Sequence, residues 1–273
     1  MEFQQKERYG INDLLNIMTL LRSPGGCPWD REQSHQSIRK NFIEETYEVV
    51  EAIDLEDSDM LREELGDVLL QVVFHTQMEA EKGSFGFDDV CDGICQKLIL
   101  RHPHVFSDVE ARTSAQVLRN WEEIKKQEKH QTTHAQALRS VPKVLPSLMR
   151  SEKVQSRAAK AGFDYPDTEW AMGGLRSEVE ELEQAIGGRN PSAVEEELGD
   201  LLFAVVNVSR FVSVDAEHSL EQACDKFIAR FAAVEQMARE RDISMSEAGI
   251  DSLNHLWQEA KKTVKTLEVN NND

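Results

Sequence analysis

Glu45 and Glu48, then Glu64 and Asp67, form two pairs of carboxylates with three-residue spacing inside each pair. Residues three or four apart share one face of a helix, so each pair would present two anionic groups side by side. The same set returns 133 residues later as Glu178, Glu181, Glu197 and Asp200. Two antiparallel helices that each offer such a pair make an all-oxygen site. Hard Mg²⁺ prefers that donor set, and Mn²⁺ accepts it, with positions left for water and phosphate oxygens. The competing reading of any single E-x-x-E is a solvated acidic face. A solvated face gives no reason for the geometry to recur in register.

Two neighbouring features bear on that choice. Asp67 and Asp200 precede the apolar runs Val68-Leu69-Leu70 and Leu201-Leu202-Phe203, so both are expected to border the interior. Gly66 and Gly199 fall in mid-helix, where glycine costs about 1 kcal/mol relative to alanine. A close approach by another helix or a ligand would explain them. A di-iron carboxylate bundle requires Glu-x-x-His on two helices. Glu32-x-x-His35 has that spacing but lies outside the carboxylate pattern, which disfavours iron.

Basic and aromatic positions repeat as well. Lys97 and Arg101 correspond to Lys226 and Arg230, and Trp121 to Trp257. Each basic pair is spaced one helical turn apart, suited either to grip phosphate oxygens or to serve as ordinary surface charge. The tryptophans suit stacking on a base and core packing equally.

These groups need a helical frame, and the chain supplies one twice. Glu63-Glu64-Leu65-Gly66-Asp67-Val68-Leu69-Leu70 returns as Glu196-Glu197-Leu198-Gly199-Asp200-Leu201-Leu202-Phe203. Self-similarity of this kind marks a duplicated unit. Apolar periodicity predicts helices over Ile11–Leu21, Ile38–Ile53, Asp59–Glu81, Phe87–Leu100 and Leu118–Lys126. It predicts their counterparts over Pro146–Lys160, Met172–Ile186, Ala193–Val212, Leu220–Arg241 and Leu253–Thr266. Gly83-Ser84-Phe85-Gly86 and Gly187-Gly188-Arg189-Asn190-Pro191 punctuate them. Strand patterning is absent. The expectation is an all-α protein of two repeated helical domains, 1–130 and 141–273, with the connection between about Gln127 and Val141.

Composition narrows the function. A net charge of −19 repels a nucleic-acid backbone and leaves free nucleotides in need of a bridging divalent cation. Met1–Gly10 has no apolar signal core and no run is long enough to span a bilayer, so a cytoplasmic protein without membrane contact is expected. Cys27, Cys91, Cys95 and Cys224 form no C-x-x-C pair and read as reduced thiols.

Cys27-Pro28-Trp29-Asp30, Glu44-Glu45-Thr46-Tyr47-Glu48, Glu63-Glu64-Leu65-Gly66-Asp67 and Arg101-His102-Pro103-His104-Val105-Phe106 together resemble the MazG family, all-α NTP pyrophosphohydrolases. The resemblance covers nearly the whole chain. It implies Mg²⁺-dependent hydrolysis of NTPs and dNTPs, over a broad range of bases, between the α and β phosphates. It also implies homodimers that complete the helical bundle, and a fold shared with the helical dimeric dUTPases. Carried over, Glu178, Glu181, Glu197 and Asp200 are the catalytic metal ligands, with Lys226, Arg230 and Trp257 towards the nucleotide. Glu45, Glu48, Glu64 and Asp67 match the metal pattern too, although in two-domain members the second domain is often the active one. The second half has Gly162-Phe163-Asp164-Tyr165 near the place of Cys-Pro-Trp-Asp.

Other hydrolases fit less well. Glu-Glu-Leu-Gly ends a Nudix box, but the Arg-Glu expected upstream falls at Asp59-Met60 and Ser192-Ala193, and strands are lacking. A P-loop is excluded because G-x-x-x-x-G-K-[ST] does not occur. The alternative from another class is a non-catalytic helical scaffold for dimerisation and partner binding.

Overall fold

The computed structural model describes residues 4–107 and 133–270, and between them 109–111, 113, 114, 116, 117, 119–121 and 124. Among the described residues the regular structure is helical, with no strand. The chain divides into two compact units, Met1–Lys129 and His130–Asp273.

The first unit contains α1 (Ile11–Arg22), α2 (Pro28–Glu32), α3 (Arg39–Asp54), α4 (Ser58–Glu81), α5 (Phe87–Arg101) and α6 (Pro103–Phe106). Of the helix expected over Leu118–Lys126, residues 119–121 and 124 are helical and the remainder lies outside the described residues. The second unit contains α7 (His134–Arg139), α8 (Ser147–Lys160), α9 (Thr168–Gly188), α10 (Pro191–Phe211), α11 (Ala216–Glu240) and α12 (Ile250–Asn270).

The long helices agree with the periodicity, and their ends differ for local chemical reasons. Helix α9 begins four residues before the expected Met172 because the Asp167 side chain accepts from the Trp170 N–H at 3.0 Å. Asn190 caps α10 in the same way, with Pro191 in the first turn, and Asp215 caps α11. Such side chains satisfy amide groups that the first turn leaves unpaired. Helix α7 occupies part of the expected connection, started by reciprocal bonds between Thr133 and Gln136. Helix α2, for which the periodicity gave no expectation, starts at Pro28; the fixed φ of proline suits a first helical position. Gly187 and Gly188 do not end α9. They lie in its last turn, and Arg189 takes the left-handed conformation at φ 54°. Gly26 is obligatory, since a Cβ there would fall 2.2 Å from the Leu20 carbonyl oxygen.

In the first unit Met18, Ile38, Val73, Phe74 and Met78 form one apolar cluster, joining α1 and α4 beneath the start of α3. Removing a buried phenyl group loses its transfer free energy and leaves a cavity. Phe74→Ala is therefore expected to destabilise the protein by about 3–5 kcal/mol, read by urea denaturation.

In the second unit Val234, Ala238, Leu256 and Ala260 form a cluster between α11 and α12. Arg241, just after α11, clamps Glu259 of α12 with bonds of 3.0 and 2.6 Å. The hydrogen bonds from Arg241 bring the Glu259 carboxyl down to about 2. A depressed carboxyl contributes stability above its ordinary value of 4.5 that disappears as pH falls towards 2. Glu259→Gln should flatten that part of the acid unfolding curve, followed by circular dichroism.

Candidate metal and nucleotide site

Helices α3 and α4 form an antiparallel hairpin, and α9 and α10 form another. Glu56 and Arg189, both left-handed at φ 54°, stand at the two turns. Glu48 and Glu64 lie eight residues either side of Glu56, and Glu45 and Asp67 lie eleven either side. Arg189 is flanked identically by Glu181 and Glu197, then by Glu178 and Asp200. Equal distances along two antiparallel helices bring residues level. The hairpins thereby convert paired spacings into carboxylate quartets.

The resulting proximity is direct. Oxygens of Glu45, Glu48 and Glu64 lie within 4.8 Å of one another, as do those of Glu178, Glu197 and Asp200. Burial raises the Glu178 carboxyl, followed by the charges of Glu181, Asp200 and Glu197. Glu197 is raised by burial and then by Glu181, Asp200 and its neighbour Glu196. In the first unit burial again leads, with Glu48 and Asp67 contributing at both Glu45 and Glu64. Crowded carboxylates of this kind resist full ionisation unless a cation joins them. The donor set of three or four carboxylate oxygens fits a hard divalent cation.

Some expected surroundings are not formed within the chain. Asp200 is exposed, whereas Asp67 is half-buried. A Cβ at Gly66 or Gly199 would meet nothing within 4 Å, so no close approach among the described residues explains these glycines. Leu65 and Leu69, and their counterparts Leu198 and Leu202, are exposed on the same helices. The groups that raise Glu45, Glu64, Glu178 and Glu197 include no basic side chain. Lys97 and Lys226 are exposed. Arg101 lies 5.4 Å from the centre of the Trp121 ring. Arg230 is half-buried, with an Nε that has no hydrogen-bond partner. Trp257 is half-buried, packs against the α11–α12 cluster and lies 5.2 Å from Phe227.

The structure also reveals a cavity of about 520 Å³ in the second unit, lined in part by Glu178 and Asp200. The Gly162–Tyr165 loop forms one wall. Asp164 in this loop pairs with Arg210 at 2.6 Å, and the Tyr165 hydroxyl packs so close to Gly174 that a Cβ there would fall 2.5 Å away. Gln155 and Asn207 also line the space. Sequence periodicity gave no sign of them, because each is a polar residue at an inward-facing helical position. Their signal lies in the repeat. Ala171 and Asn207 stand where the first unit has Ile38 and Phe74, two members of its core.

The MazG nucleotide pyrophosphohydrolase domain model matches residues 33–106 and again 168–234, once in each unit. The chain is 44% identical over 257 residues to a nucleoside triphosphate pyrophosphohydrolase of Escherichia coli, covering 92% of this chain and 97% of that protein. It is 43% identical over 251 residues to the nucleoside triphosphate pyrophosphohydrolase/pyrophosphatase MazG of Thermotoga maritima, covering 92% and 95%. A Mycolicibacterium smegmatis nucleoside triphosphate pyrophosphohydrolase is 41% identical over 153 residues, 55% of this chain and 46% of that one. Both matched segments contain a carboxylate quartet on a helical hairpin, and the chain belongs to the MazG nucleotide pyrophosphohydrolase domain family.

Proposed function

We propose that this protein hydrolyses nucleoside triphosphates, ribo- and deoxyribo-, between the α and β phosphates, with Mg²⁺ or Mn²⁺ held by Glu178, Glu181, Glu197 and Asp200. The observation that carries the reading is the convergence of these carboxylates on α9 and α10 at the edge of a nucleotide-sized cavity. The chemistry agrees with that named for the Escherichia coli and Thermotoga maritima relatives. A divalent cation there would neutralise charge developing on phosphate oxygens and lower the pKa of a water molecule. The four carboxylates would orient that water and the triphosphate.

Lys226, Arg230 and Trp257 are proposed on the nucleotide side, as are Lys97 and Arg101 in the first unit. The unpartnered Arg230 Nε is a buried donor suited to a phosphate oxygen. The exposed leucines beside both quartets support a homodimer that would cover them and approach Gly66 and Gly199. Light scattering after gel filtration tests the dimer. No membrane partner is proposed, since no helix among the described residues is long and apolar enough to cross a bilayer. The reaction would be cytoplasmic.

The decisive assay follows pyrophosphate and orthophosphate from a panel of NTPs with Mg²⁺, against EDTA. Pyrophosphate as the first product across several bases is expected. Orthophosphate first, or no turnover with Mg²⁺ or Mn²⁺, would reject the reading and favour the scaffold.

A further inference from the structure

The cavity beside Glu178 and Asp200 contains two hydrogen-bond acceptors with nothing to accept from. Gln155 is 4% exposed, and its Nε2 donates to the Phe203 carbonyl at 2.8 Å, yet its Oε1 has no partner. The Asn207 Oδ1 is likewise buried and unpartnered. Buried acceptors in this state are normally satisfied by water or a ligand. The bond to Phe203 also fixes the sense of the Gln155 amide, because a flip would set its oxygen against a carbonyl oxygen. Gln155 is thereby committed to accept.

The duplicated unit shows what opened the space. At Ile38 and Phe74 the first unit is filled, and both side chains are buried with Met18 and Val73. The second unit has Ala171 and Asn207 at those positions, one of them shortened and the other both shortened and made polar. The unpartnered Asn207 oxygen thereby joins that of Gln155 in the lining of one cavity. The cavity also shares Glu178 and Asp200 with the carboxylate quartet, so a ligand bound at that quartet through phosphate has the cavity within reach.

We propose that this cavity holds the base of the nucleotide, and that Gln155 and Asn207 select bases whose edge carries an exocyclic amino group. Such a group offers two N–H donors to two acceptors. A base with a carbonyl at the same place sets oxygen against oxygen. This inference rests on the proposed NTP hydrolysis and adds a graded preference within a broad base range. The first unit, closed by Ile38 and Phe74, takes no base.

The test uses substrate pairs that exchange amino for oxo at the reading edge, CTP against UTP and ATP against ITP, with full-length protein. The kcat/KM should favour the amino member about ten- to a hundredfold. Asn207→Leu should bring both ratios close to one, whereas Asn207→Asp, which keeps oxygen acceptors, should preserve them. Asn207→Phe, which installs the first unit's residue, should raise KM for every nucleotide. Cytidine and uridine binding to the metal-free protein, followed by saturation-transfer NMR, reads the pocket independently of catalysis. Cytidine binding lost in Asn207→Phe supports the proposal even if no NTP is hydrolysed, in which case the proposed reaction alone fails. Equal kcat/KM within both pairs in wild-type protein, or nucleoside contacts unchanged by Asn207→Phe, would overturn it whether or not the variants fold well.

Discussion

Glu197→Gln is expected to reduce pyrophosphate release from the full-length protein by more than about 100-fold, while Glu64→Gln leaves most of it. Outer-shell groups around a metal are typically worth about 10–100-fold, and loss of an anionic ligand should exceed that. The asymmetry between the halves has a structural reason. Both hairpins gather carboxylates, and burial and neighbouring charge raise Glu64 as they raise Glu197. Glu178 and Asp200 line the cavity, whereas the matching positions of the first unit carry the buried Ile38 and Phe74 side chains. Metal binding alone does not turn over a nucleotide, because the substrate must also be positioned. The measurement is initial rate against protein concentration for both variants, with folding checked by circular dichroism. Abolished turnover in Glu64→Gln with activity kept in Glu197→Gln would reverse the assignment, and similar partial losses in both would mean two working sites.

The quartets were legible in the sequence because their determinants are local. Three-residue spacing fixes the face of each helix, and the short turns at Glu56 and Arg189 fix the hairpin register. The basic and aromatic candidates were harder. Lys226 and Trp257 have spacings that serve a surface, a core or a ligand equally, and Trp257 packs on Phe227. The cavity was not legible from either half alone. Asn207 on α10 looks like an interruption of an apolar stripe, and its meaning comes from Phe74 at the matching place in the repeat. Helix ends were missed where one residue decides them, as Asp167 does for α9.

Metal-free protein should be less stable than the magnesium form by an amount set by mass action. A ligand that binds only the folded state adds about 2.7 kcal/mol at about 100 times its dissociation constant. The gain should grow with pH. Glu178 and Glu197 are raised in the folded protein, by burial first and then by neighbouring carboxylates, so the cost of ionising them is absent below the ordinary value of 4.5 and develops as pH rises through their elevated values. EDTA-treated protein should therefore lose stability over that rise, and Mg²⁺ should restore it. Asp200 contributes to the upward shift of both glutamates. Asp200→Asn should consequently melt at or above wild type in EDTA, as variants that relieve strain at functional sites do. The same variant should show little response to Mg²⁺, or to Mg²⁺ with a non-hydrolysable nucleotide, because one anionic ligand is gone. Calorimetric melts of both proteins in the three conditions distinguish the roles. An Asp200→Asn protein that melts below wild type in EDTA and keeps the full Mg²⁺ response would make Asp200 a structural residue, and the cation would then have to rest on Glu178, Glu181 and Glu197.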